Sequence, residues 1–100
     1  MKFRDLDKVS IIIKEATGLD VTYAYDDLVF PEHAAFLIQF DDENDDNFFC
    51  YFHKDCIADE QARIADSLIE ACEKKECSLV SEGAFDLVQN GEEVEVHFLR

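Results

Sequence analysis

The chain has 100 residues, the length of one domain with a single modest core. Its 24 acidic and 9 basic residues give a formal net charge of −15, which argues against free nucleic acid and anionic membrane as partners, since both carry the same sign. Disorder often accompanies such a charge, but 48% of the residues are apolar and nine are Phe, so a packed interior is expected.

The N-terminal MKFRDLDK contains no long apolar run, so no signal peptide is expected, and no stretch reaches the length that spans a bilayer. The expected setting is the cytoplasm, with Cys50, Cys56, Cys72 and Cys77 as reduced thiols. Residues 5–17 predict a helix, because Leu6, Val9, Ile12, Ile13 and Ala16 recur at three- and four-residue spacing. Asp5 stands where a cap belongs and Gly18 where a helix ends, although the run VSIII favours a strand locally. The period then changes to two. Residues 20–25 alternate Val21, Tyr23 and Tyr25 with Thr22 and Ala24. Asp26-Asp27 suits a turn, and Leu28 to Phe30 continue or end that strand before Pro31 closes the region. Residues 34–40 and 47–54 predict two more strands, joined by the acidic hairpin connection FDDENDDNFF at 40–49. In the later strand Phe48, Cys50 and Phe52 point to one side, and Phe49, Tyr51 and His53 to the other.

Residues 57–75 predict a second helix, with Asp55 as its cap and Asp59–Arg63 and Glu70–Lys74 as acid-before-base pairs one turn apart. Its apolar arc covers about 180°, wider than the ~100° stripe of a helix packed on one side. One edge carries Ile57, Ile64 and Leu68 and the other Ala58, Ala62 and Ala65, and these six residues form the candidate surface for a homodimer. The competing reading is that the first helix covers the spare edge. Cys77 to Ser81 predicts a short strand before a bulge at Gly83. Asn90-Gly91 predicts a two-residue turn that sets Gln89 against Glu92, Leu87 against Val94, Phe85 against Val96 and Gly83 against Phe98. On the opposite face the same register sets Asp86 against Glu95, a like-charge pair that needs water or a positive group beside it. The resulting order is α-β-β-β-α-β-β: an α+β fold with a single antiparallel sheet and two helices on one face.

Residues resembling catalytic or metal sites fail on spacing. Counted from Asp42 as an EF-hand, the acidic connection has Asn47 where glycine is required and His53 where the bidentate Glu belongs. Cys50, His53 and Cys56, with Cys72 and Cys77, lack the usual zinc-knuckle spacing, and Cys50 and His53 point to opposite faces of a strand. His33, His53 and His97 stand apart from any Ser or Cys in nucleophile context, and three glycines form no phosphate loop. No pair of carboxylates is singled out for acid–base work. No enzyme activity, metal or cofactor is therefore expected.

The charge is unevenly placed. Residues 15–53 hold ten acids and no Lys or Arg, and residues 76–99 hold six acids and none. Beside these acids the strands carry apolar side chains on both faces, so the second sheet face needs a cover: a loop or a partner. Leu37, Phe49 and Tyr51, with the acidic Asp86, Glu93 and Glu95, are the candidate partner-binding residues.

With the order and charge assembled, the stretch FLIQFDDENDDNFFCYFHKD, followed by ARIADSLIEACEKK and a final hairpin ending EVEVHFL, resembles the type III secretion chaperone-like fold and is particularly similar to its YbjN-type bacterial domains. The resemblance implies a small acidic dimer that binds proteins, holds extended unfolded segments against apolar patches on its sheet, and does no chemistry. The leading expectation is thus a non-enzymatic, acidic protein-binding module, chaperone-like or regulatory, whose partner is basic or unfolded. The alternative is an inhibitor that mimics nucleic acid and occupies a basic groove of its partner.

Overall fold

The computed structural model describes residues 6–25, 27–44 and 46–99. In chain order it has α1 (Leu6–Thr17), β1 (Val21–Tyr25), β2 (Leu28–Pro31), a 3₁₀ turn (Glu32–Ala34), β3 (Phe36–Phe40), β4 (Asn47–His53), α2 (Ala58–Lys74), β5 (Ser78–Asn90) and β6 (Glu93–Leu99). Asp5, Asp26, Asp45 and Arg100 lie outside the described residues.

The fold is α+β, as expected, with one strand more than the predicted order. Leu28 to Pro31 is a strand of its own, paired antiparallel with β1 through Tyr25 and Leu28. All six strands form one sheet in sequence order. The sheet is mixed, which corrects the expectation of a purely antiparallel one. The β4–β5 pair is parallel, because α2 carries the chain back across the sheet between them.

Both helices cover the same face. Val9, Ile12 and Ile13 of α1 and Ile64, Leu68, Ala71 and Cys72 of α2 share one core with Val29, Phe36, Ile38, Phe48, Cys50, Phe52 and Leu79 of the sheet. Gly18 ends α1 as predicted: it adopts φ +77° and donates its N–H to the Lys14 carbonyl at 2.8 Å. α2 starts differently from the expectation. Its N-cap is Ile57, with no side-chain cap bond, and the Asp55 N–H donates to His53 Nδ1 at 3.1 Å. The turn at 53–56, closed by Cys56 N–H to His53 carbonyl at 2.9 Å, sets Asp55 too far back to cap. Arg63 pairs with Glu60 at 2.6 Å rather than with Asp59, whereas Glu70 and Lys74 pair at 3.7 Å as predicted.

The other face has a core too. Leu28, Phe30, Leu37, Tyr51 and Phe85 are buried there without any helix. The geometry of two rings explains this. Phe30 on β2 and Phe85 on β5 meet with centroids 6.4 Å apart, although two strands lie between β2 and β5. In a flat sheet those strands would be about 14 Å apart. The sheet therefore coils, and its two sides close over Leu37 and Tyr51. Leu37 and Tyr51 are thus covered by the sheet itself rather than by a loop or a partner.

The bulge next to Gly83 makes that closure possible. β4 pairs with β5 through Cys50–Ser81 and then Tyr51–Gly83, so Glu82 is the extra residue. An extra residue reverses which side chains face which way. Leu79 thus enters the helix-side core, while Phe85, an even number of residues later, enters the concave core.

Candidate functional site

The C-terminal hairpin is the part of the sheet least covered by its own chain. β4 pairs with β5 only as far as Phe85, so beyond that point β5 has β6 as its sole neighbour among the described residues. The register differs by two residues from the one expected at Asn90-Gly91. Asn90 pairs with Glu93, and the turn residues are Gly91 and Glu92. Gly91 has φ +65° while Glu92 does not share a positive φ, the pattern of a type II′ turn with glycine in its first central position. The Gln89 side-chain amide donates to the Gly91 carbonyl at 2.7 Å and the Asn90 amide to Glu95 Oε1 at 2.8 Å.

This shift preserves the apolar face and removes the expected clash of charges. Leu87 now opposes Val96 and Phe85 opposes Phe98, while Asp86 opposes His97 instead of Glu95. Asp86 also has the Lys54 ammonium at 3.3 Å and the His53 ring at 3.8 Å, so a positive neighbour comes from its own chain. Glu95 stays ionised, because the Asn90 amide first and His97 second hold its carboxyl below the ordinary range.

β6 is an edge strand of seven residues that contains no Pro and no Lys. The closing pair Asn90–Glu93 exchanges both of its ladder bonds, so Glu95 and His97 also bond to β5. By alternation the N–H and C=O groups of Val94, Val96 and Phe98 point away from the sheet. Their side chains continue the concave core: Val96 packs on it and the Phe98 ring lies 4.6 Å from that of Tyr51. Val94 is nonetheless 58% exposed and Phe98 39% exposed. Glu93 and Glu95 stand on the opposite face, also exposed.

The residues expected to bind a partner are thus divided. Leu37 and Tyr51 are buried in the concave core and are not on the surface. Phe49 is partly buried at its margin. Asp86 is engaged by Lys54 and His53, Glu93 is exposed on β6, and Glu95 is exposed there while bonded to the Asn90 amide and to His97. The expected homodimer surface is divided in the same way. Ile64 and Leu68 are consumed by the chain's own core, and Ala65 packs against that core. Ile57, Ala58 and Ala62 are exposed. The first helix lies against the C-terminal half of α2, where Glu15 pairs with Lys75 at 3.6 Å.

The acidic connection is held by local bonds. Asp41 accepts from the Glu43 N–H at 2.9 Å and the Asn47 amide at 3.0 Å, and Asp46 meets Lys8 at 3.4 Å. A cleft of about 450 Å³ opens beside the start of α2, lined among others by His33, His53, Cys56, Ile57, Glu60 and Leu87. Among the described residues no three His, Cys, Asp or Glu side chains converge as a metal-holding group. The cleft's thiol is a poor nucleophile, because burial and the nearby Glu60 raise the Cys56 pKa. Burial also pushes Cys50 and Cys72 up to about 12.

No protein-family model, curated protein or solved structure matches this chain. Among the described residues no helix is long and apolar enough to cross a membrane.

Sequence reasoning identified the acids and the aromatic strand but missed Val94 and Phe98 as surface residues. The alternation in EVEVHFL was visible. What it could not reveal is that β6 stands at the end of the strand order, with no strand on its outer side among the described residues.

Proposed function

We propose that this chain is a non-enzymatic, acidic module that binds a protein partner. The observation that carries this reading is the pairing, on one exposed edge strand, of uncovered apolar side chains with carboxylates and no Lys or Arg. Exposed Val94, Phe98 and Leu99 would gain from burial against a partner, and Glu92, Glu93 and Glu95 would favour a basic one. The raised thiol pKa values support the absence of cysteine chemistry. The pattern-level resemblance to type III secretion chaperones implies the same class of partner, though with the bound segment lying on a sheet face. A cytoplasmic setting belongs to this reading, since its four free cysteines would stay reduced there.

The test is capture from a cell extract at low and high salt by the native chain and by a Glu92→Lys, Glu93→Lys, Glu95→Lys variant. Loss of the native partners in the variant supports the reading; an unchanged set of partners sinks it. Native capture that disappears completely at high salt would favour the nucleic-acid mimic, whose contacts are all screened. The apolar side chains beside these acids have no use in phosphate mimicry, so some salt-resistant capture is expected.

A further inference from the structure

We infer that the outer edge of β6 takes an extended basic segment by strand addition, and that the segment alternates Lys or Arg with apolar residues. This rests on the protein-binding reading above and specifies the surface, the partner's conformation and its sequence pattern.

Three observations lead there. From β2 to β4 both faces of the sheet are already packed, one under α1 and α2 and one by the coiling of the sheet itself, so those strands offer no open face to a partner. The edge is open: the N–H and C=O groups of Val94, Val96 and Phe98 point outward along a regular strand. Of the other edges, β1 is shorter and its register shifts between Val21 and Tyr23, and the first half of β5, paired with β4 alone up to Gly83, is broken by the bulge at Glu82, so each is a poorer template.

Charge selects the occupant. An antiparallel copy of β6 would bring the acids Glu93 and Glu95 of two chains of charge −15 onto one face, where like charges repel. Carboxylates on an exposed edge block self-pairing in this way. They do not block a cationic strand. Such a strand would place its basic side chains beside Glu93 and Glu95 on one face and its apolar side chains beside Val94, Val96 and Phe98 on the other. The alternating partner sequence is therefore dictated by the period of β6. Val94 and Phe98, both partly uncovered now, would become covered.

The probe is a labelled seven-residue peptide, Lys-Val-Lys-Val-Lys-Val-Lys, matched to the length of β6 and titrated onto the full chain by fluorescence anisotropy. Three comparisons read the mode. The same residues in block order keep the charge but lose the alternation. The alternating peptide N-methylated on every second amide, in both phases, keeps charge and pattern but loses one row of donors. Val94→Pro removes an outward N–H while sparing the β5 ladder, since Pro is tolerated on an edge with its missing donor facing solvent. Each change should weaken binding about tenfold or more, the worth of one or two backbone hydrogen bonds or of the matched pattern. Should Val94→Pro fail to fold, the N-methylated peptides decide on the native chain. Equal binding of all peptides would overturn strand addition while leaving electrostatic protein binding intact. No binding of any peptide, together with unchanged capture by the charge-reversed variant, would overturn both. A salt-stable dimer that the peptide cannot dissociate would assign the edge to a second copy and overturn the inference.

Discussion

Two residue types carry the sharpest expectations, glycine at the turn and cysteine in the core. Gly91 adopts φ +65°, and a Cβ built there meets nothing within 4 Å. The cost of a side chain is thus backbone strain alone, about 1–3 kcal/mol for an ordinary L-residue at the positive-φ position of a type II′ turn. Gly91→Val should lower the urea midpoint accordingly, and Gly91→Asn should lower it less, since Asn tolerates that conformation better. Cys50 is fully buried among apolar side chains, and burial first, then the nearby Cys72 and Cys56, pushes its thiol from 9.0 up to about 12. In the unfolded chain the same thiol ionises near its ordinary value. Between about pH 9 and about pH 12 the unfolded state therefore binds fewer protons than the folded one, and stability falls as pH rises. Urea midpoints at about pH 8 and about pH 10.5 should show this fall, and Cys50→Ala should make it shallower. A variant with the same slope as the native chain would mean that Cys50 ionises in place.

At the level of elements, the long β5 strand does two jobs. Its first half, to Gly83, pairs with β4, Ala84 and Phe85 lie between β4 and β6, and the residues beyond pair with β6. A two-stranded ribbon is marginal in water without further support. The distal hairpin is supported only where Leu87 and Val96 reach the concave core. Hydrogen exchange should therefore be faster at the ladder amides of Val88, Asn90, Glu93 and Glu95 than at those of β4, which lies between two strands. Equal protection would mean that the hairpin opens only with the whole sheet. Gly83 marks the junction of the two halves: a Cβ there would meet the Leu99 carbonyl oxygen at 3.3 Å, so a side chain would press on the end of β6.

For the whole molecule the governing quantity is the charge of −15. The few bases are used locally: Lys8 at Asp46, Lys54 at Asp86, Arg63 at Glu60, Lys75 at Glu15. Most carboxylates remain to repel one another, and compaction brings them closer than in the unfolded chain. Added sodium chloride screens that repulsion within roughly 10 Å at 0.1 M. The thermal midpoint should therefore rise between low salt and about 0.5 M, the opposite of a fold held by surface ion pairs. A midpoint that falls with salt would show that the local pairs outweigh the general repulsion.

Several features followed from the sequence because local chemistry specified them. The helix periods, the stop at Gly18, the strand pattern from Phe48 to His53 and the bulge at Gly83 all depend on neighbours within a few residues. The charge asymmetry is equally local, and so is the surplus of apolar residues on both strand faces. The register of the last hairpin was nearly legible: two adjacent turns, Asn90-Gly91 and Gly91-Glu92, were open to the same glycine. The second relieves Asp86 of Glu95 and sets it against His97, while the β4–β5 pairing brings Lys54 beside it from more than thirty positions away in sequence. The remainder was decided only by tertiary structure. Whether Leu37 and Tyr51 face solvent depends on Phe30 and Phe85 meeting across two intervening strands. Whether Ile64 and Leu68 meet a second copy depends on where α2 rests after its crossover. Whether β6 has a free edge depends on strand order. Each of these is a contact between distant segments, and hydrophobic period alone says that a side chain must be buried, not what will bury it.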